Sequence, residues 1–290
     1  MIDLAELFRV YQTTIGVVGI NILLALSVWL TLYAGQLTLG NAAFMGIGAY
    51  AAALLGMRAG IPFPIALALG AAASMMLALP LGLAVFRLRG VYLAIATIGF
   101  GEVVRVALLA TPITGKALGL NGIPPTTEVW HIYLSVAVVA YVLWRIQGST
   151  VGRAWAAIRE DEIAAASQGI AVRRYKLGAF VAGALIAGWA GGLSAHQSFS
   201  IEPSDFGFTH AVQILVFAVV GGTPTVLGPI LGATLLTALP EVLRPLKDYR
   251  DIFQGLILLG VVVYLPRGLA TLAEIRKTRD LSRIGAADVA

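Results

Sequence analysis

The 290-residue sequence contains no cysteine. That excludes disulfides, zinc thiolates and cysteine-held iron–sulfur clusters. Charge is scarce as well: 12% of residues are Asp, Glu, Lys or Arg, against about a quarter in a soluble domain. With 59% hydrophobic residues and a mean hydropathy of +0.88, too few polar side chains remain to clothe a water-facing surface. The chain therefore reads as a membrane protein. Catalytic signatures are missing too. None of the three histidines, His131, His196 and His210, belongs to an H-E-x-x-H motif. The single Gly-Lys pair, Gly115-Lys116, is followed by Ala117, so no G-x-x-x-x-G-K-[ST] phosphate loop exists. If ATP powers this protein, another subunit hydrolyses it. The opening "MIDLAELFRV" carries acids where a secretory signal would carry bases, and no cleaved signal is expected.

What the chain has in quantity is long uncharged runs. A membrane helix needs about 20 apolar residues to cross about 30 Å of hydrocarbon. The 48 positions between Arg9 and Arg58 carry no charge, which fits two spans with a break at "GQLTLGN", 35–41. Further runs cover 59–86, 91–110 (interrupted by Glu102 and Arg105), 129–144, 177–201 and 251–266 (opened by Asp251). The stretch 111–128, rich in Pro, Gly and Thr, reads as an extramembrane loop. The 35 uncharged residues of 206–240 are broken by "GGTPTVLGP", 221–229. Pro224 and Pro229 argue against one long helix, so two short spans or a re-entrant pair are expected. The expectation is a single all-α domain over 1–290, a polytopic bundle of about nine helices (range about 8–10) with broken or re-entrant segments near 35–41 and 221–229.

Charge placement sets the orientation. Arg145, Arg153, Arg159, Arg173, Arg174 and Lys176 crowd the middle segment, 148–176 and its edge, while Arg267, Arg276, Lys277, Arg279 and Arg283 crowd the tail, 267–290. By the positive-inside rule both are cytoplasmic. Counting back puts "RLRG", 87–90, inside, the 111–128 loop outside and the N-terminus outside.

The polar residues left within the spans are candidates for function. Glu102 and Arg105, three apart, share a helical face and are expected to form a bundle-facing ion pair. Glu102 could instead serve a proton-coupled carrier as relay. Ser194, His196, Ser198 and Asp205 cluster near the end of a span; an intramembrane hydrolase built on them is the lesser alternative, because triads are assembled by fold and not by adjacency. Gln36, Thr38 and Asn41 cluster in the first break, where a zwitterionic solute would find donors and acceptors. In the middle segment, one helix is expected from about 153 to 168, with Trp155, Ile158 and Glu162 on one face and Gly169 as its stop. Such a helix suits docking into a groove on a soluble partner.

Four stretches together resemble a known family. "GQLTLGNAAFMGIGAYAAALL" is similar to its G-Q-x-S/T-x-G start and G-A-Y helix. "RLRGVYLAIATIGFGEVVR" is similar to its R-x-R-G-x-Y-x-A-x-x-T segment. "GRAWAAIREDEIAAASQGIAVRRYKLGAFVAGALIAGWAGGL" and "GGTPTVLGPILGA" match two further signatures. From about residue 30 to 268 the chain resembles the permease subunits of ABC importers for branched-chain and other hydrophobic amino acids, most closely the M-type (LivM-like) subunit. The resemblance implies a non-catalytic subunit in a bacterial inner plasma membrane. Its implied partners are two ATP-binding subunits, which would hold ATP and Mg, a homologous second permease, a periplasmic or lipid-anchored solute-binding protein, and lipid, but no nucleic acid. It implies a coupling helix that includes Gly152, Arg153, Ile158, Arg159, Glu160, Asp161, Glu162, Ala164, Ala165 and Gly169. The implied solute path includes Gln36, Thr38, Asn41, Tyr92, Thr97, Glu102, Gly221 and Gly222; no metal or cofactor site is expected in this chain. The sequence departs from the family at Glu162, one position early for E-A-A-x-x-x-G, at Pro224, and at Lys116, where glycine is common.

Overall fold

The computed structural model of the chain describes residues 4–88, 90–242 and 255. The described residues form an all-α polytopic membrane protein. Its helices are α1 (Leu4–Tyr33), α2 (Asn41–Ala59), α3 (Phe63–Val85), α4 (Val91–Ala110), α5 (Val129–Gln147), α6 (Thr150–Glu160), α7 (Glu162–Ser167), α8 (Val172–Ser198), α9 (Phe208–Gly221) and α10 (Leu227–Val242). Six of them, α1 to α5 and α8, are long and apolar enough to span a membrane, while α9 and α10 are shorter apolar helices. Both expected breaks are present, after α1 and between α9 and α10. The expected last span, 251–266, and the tail lie outside the described residues.

Small residues set how these helices meet. In lipid, close backbone approach takes over from the hydrophobic effect in driving helix association. A Cβ on Gly48 of α2 would overlap the Gly188 backbone of α8, and one on Gly191 would overlap the Met45 carbonyl. Ser74 of α3 donates to the Phe44 carbonyl at 2.8 Å, satisfying a buried hydroxyl across the same junction. On the other side of α1, Asn21 donates to Thr237 of α10 at 3.0 Å. The centre of the bundle is α1 with α8. α4 and α5 bury only a small share of their apolar surface within the chain.

Loops sort to two ends. At one, Gly35 abuts Arg159, Trp29 donates to the Thr223 carbonyl at 2.9 Å and Gln147 to the Pro224 carbonyl at 2.6 Å. At the other, Arg58 donates to the Ile113 carbonyl at 3.1 Å, and 120–121 pair antiparallel with 200–201. The first end carries Arg87, Arg145, Arg153, Arg159, Arg173, Arg174 and Lys176 beside Glu160, Asp161 and Glu162. The second carries Arg58 and Lys116 beside Glu128, Glu202 and Asp205. Lys116 sits in left-handed backbone at φ 54°, a conformation that favours glycine.

Candidate functional site

The middle segment is two helices rather than one. Ser149 caps α6, its hydroxyl accepting from the Gly152 N–H at 3.4 Å. Asp161 then takes an extended backbone (φ −154°) and caps α7, with one carboxylate oxygen accepting from the N–H of Ile163 at 2.8 Å and of Ala164 at 3.0 Å. A short acceptor side chain competes with helix continuation in this way, and that corrects the single helix expected over 153–168. The expected stop holds. Gly169 adopts φ 82°, and the Ile170 N–H bonds back to the Ala165 carbonyl at 3.1 Å.

Trp155 and Ile158 turn inward. Both are buried, and the Trp155 indole donates to the Tyr175 carbonyl at 2.9 Å. They seat the segment on its own bundle, so the expected docking face is not this apolar stripe. Gly152 and Ala165 are buried with them, whereas Arg153, Glu160, Asp161, Ala164 and Gly169 are exposed. Ile163 stands 74% exposed among these polar neighbours. Glu162 forms an ion pair with Lys176 at the start of α8.

A line of contacts leaves this segment for both breaks. The Arg159 guanidinium lies 5.3 Å from the Tyr33 ring centroid. Tyr33 stacks on Trp29 with centroids 4.9 Å apart, and Trp29 holds the Thr223 carbonyl of the second break. In the first break, Gly35 (φ 75°) would place a Cβ 3.1 Å from the Arg159 Cα. Only glycine tolerates both that backbone and that proximity.

The polar residues of the first break split in two. Thr38 donates to Asn41 at 3.2 Å, Asn41 donates to Ser27 at 2.9 Å, and Thr97 accepts from the Leu39 N–H at 3.0 Å. All are buried and partnered, so they fix the shape of the break. Gln36 differs: it is 1% exposed, and neither amide atom has a hydrogen-bond partner among the described residues. Gly221 packs against the Gly228 backbone, and Gly222 (φ 98°) turns the chain between α9 and α10. Tyr92 is 73% exposed on α4. Glu102 and Arg105 do pair, on a half-exposed face of α4 that borders α2 and the 206–211 stretch of the chain.

At the second end, a cavity of about 430 Å³ is lined by Ser194, Ser198, Ser204, Asp205, His210 and Gln213, among others. His196 is elsewhere. It is buried, with Nδ1 2.9 Å from the Gly192 carbonyl oxygen and its ring edge-on to Phe63. The expected Ser–His–Asp grouping is therefore divided, and the histidine that joins Asp205 is His210. Sequence reasoning passed over His210 because it sits in an apolar run with no motif.

The profile of the branched-chain amino acid transport system permease component family matches residues 10–262. The chain is 35% identical to the high-affinity branched-chain amino acid transport system permease protein LivM of Escherichia coli, over 92% of this chain and 69% of that protein. Against LivM of Salmonella typhimurium it is 34% identical, over the same shares. It is also 29% identical to the autoinducer 2 import system permease protein LsrC of an Enterobacter species, over 91% of this chain and 81% of that one. No solved structure matches.

Proposed function

Because the chain belongs to the family of branched-chain amino acid transport system permease components, we propose that it lines the solute path of an ATP-driven importer in the bacterial inner membrane. A homologous second permease completes the path. Two separate ATP-binding subunits grip α6–α7 from the cytoplasm, and a solute-binding protein delivers cargo outside. The basic end is the cytoplasmic one by the positive-inside rule. The N-terminus then starts outside and the tail ends in the cytoplasm. The cargo is a branched-chain or related hydrophobic amino acid, on the strength of the two LivM relatives. LsrC relatives, named for autoinducer 2 import, are more distant.

The observation that carries this reading is the run Arg159–Tyr33–Trp29–Thr223, which joins the candidate coupling segment to both breaks. Closure of the ATP-binding subunits would push the exposed face around Glu160, Ile163 and Ala164. Because Trp155 and Ile158 lock α6 to the bundle, the push passes to the ends of α1 and α8. The breaks beside Gly35 and Gly222 absorb the change in backbone angle, opening the path inward. The exposed faces of α4 and α5, with Tyr92 and the Glu102–Arg105 pair, would meet the second permease, since a charged pair facing lipid is costly. The proton-relay alternative is disfavoured because Arg105 engages both Glu102 oxygens.

The test is reconstitution. The complete importer in proteoliposomes should accumulate leucine with ATP present, and a protonophore should not stop it. Uptake that needs a proton gradient, or that proceeds without the ATP-binding subunits, would overturn the reading.

A further inference from the structure

The stretch between α1 and α2 meets the candidate coupling segment at one end and α4 at the other. Gly35 lies against the Arg159 backbone, and the Leu39 N–H donates to Thr97 Oγ1 of α4 at 3.0 Å. Between these points the backbone is irregular but braced. The Gln36 N–H donates to the Thr31 carbonyl at 2.9 Å, and the Thr38 hydroxyl bonds Thr31 and Asn41, both at 3.2 Å. We propose that Thr97 is a positioning residue of transport. Its hydroxyl ties α4 to the first break, so that movement of the coupling segment shifts the cytoplasmic half of α4 and opens the path inward.

The hydroxyl is fixed in orientation. It donates within its own helix, to the Leu93 and Ala94 carbonyls at 3.0 and 2.9 Å, which leaves its lone pairs for the Leu39 N–H. Thr97 is fully buried, and a buried donor left without its acceptor is costly. The reach is short as well: from Gly35 to Leu39 the chain spans at most about 14 Å. A segment so short, and bonded along its length, bends at Gly35 and carries the remaining displacement as one piece.

The inner half of α4 is placed to answer. Gly90, just before it, has φ 56° and no atom within 4 Å of where a Cβ would sit. Val91, Tyr92 and Ile95 are exposed, and the buried residues before Thr97 are Leu93 and Ala94. The outer half is flanked instead by the 206–211 stretch. A pull at Thr97 therefore acts on the loosely packed half, which carries Tyr92 and Ile95. This rests on the permease reading above, because only then does the coupling segment move.

The experiment uses the complete importer in proteoliposomes with its binding protein, and measures leucine uptake and ATP hydrolysis together. Thr97→Val keeps the side-chain shape and removes the acceptor. Uptake per ATP hydrolysed should fall about fivefold or more, the low end of a coupling between sites, with the KM for loaded binding protein unchanged. Thr97→Ser keeps the hydroxyl and should restore most of the ratio. A wild-type ratio in Thr97→Val would overturn the proposal. So would a Thr97→Ser as defective as Thr97→Val, since the lost methyl packing would then be the cause. A second measurement needs neither variant to fold. Tyr92→Cys and Ile95→Cys, each made in this cysteine-free chain, should react with a maleimide at rates that differ between the nucleotide-free and ATP-bound importer. Equal rates at both positions would mean that α4 stays still, which also ends the proposal. The two claims separate cleanly: ATP-driven uptake with an unchanged Thr97→Val ratio sinks this link alone, whereas wild-type uptake that needs no ATP sinks the reading beneath it.

Discussion

Arg159 meets the bundle twice, its guanidinium over the Tyr33 ring and its backbone against Gly35. A cation–π contact of this kind is worth about 0.5–2 kcal/mol, depending on desolvation. Arg159→Ala should therefore leave the ATP-binding subunits attached while leucine uptake per ATP hydrolysed falls several-fold. The comparison is of both rates in one proteoliposome preparation, and an unchanged ratio would remove Arg159 from the route. Glu160, exposed beside the Arg159 guanidinium, tests the grip instead. Glu160→Arg should reduce co-purification of the ATP-binding subunits without lowering the yield of this chain. Glu102→Gln should leave ATP-driven uptake largely intact, because the carboxylate has no part in coupling to the ATP-binding subunits; abolished uptake would revive the proton relay. These residues differ in how legible they were. The Glu102–Arg105 pair follows from spacing alone, but its facing does not, because i, i+3 spacing fixes proximity on a helix and not which neighbour that face meets.

Among the elements, α6 and α7 show where sequence patterning stops. The Ala-rich run 153–168 has helical periodicity throughout, so nothing in the period marks a break. The signal was Asp161, a favoured N-cap residue, and capping chemistry overrode propensity there. Asp161→Ala should cost α7 about 1 kcal/mol. Hydrogen exchange should then quicken over 162–168 and stay unchanged in α8; uniform protection would mean that docking, not the cap, holds α7. The inward turn of Trp155 and Ile158 was also hidden, since an amphipathic stripe does not say whether its apolar side meets a partner or its own chain. Glycine spacing was more telling. Small residues in "GIGAYAAALLG" and "AGALIAGWAGG" anticipated close helix packing, which the α2–α8 crossing at Gly48 and Gly188 provides. Gly191→Leu should cost about 1–3 kcal/mol by overpacking, or more where backbone cannot shift, read as a lower melting temperature in detergent.

For the whole molecule, the gaps between charges located the spans, because lipid admits few charges and water demands them. The six long helices and the α9–α10 pair fall on the runs read from the sequence. What the runs could not carry was assembly in three dimensions. The second-end cavity draws Met45, Ser194, Asp205 and His210 from separate elements, and Gln36 meets Glu162 across 126 positions of chain. The account depends on α6–α7 facing the cytoplasm and being held by an ATP-binding subunit. The absence of cysteine makes this directly measurable, since Ile163→Cys would carry the only thiol in the chain. In the intact importer that thiol should cross-link to an ATP-binding subunit and escape a membrane-impermeant maleimide added outside intact spheroplasts. Labelling from outside, or a cross-link to no other subunit, would contradict the account.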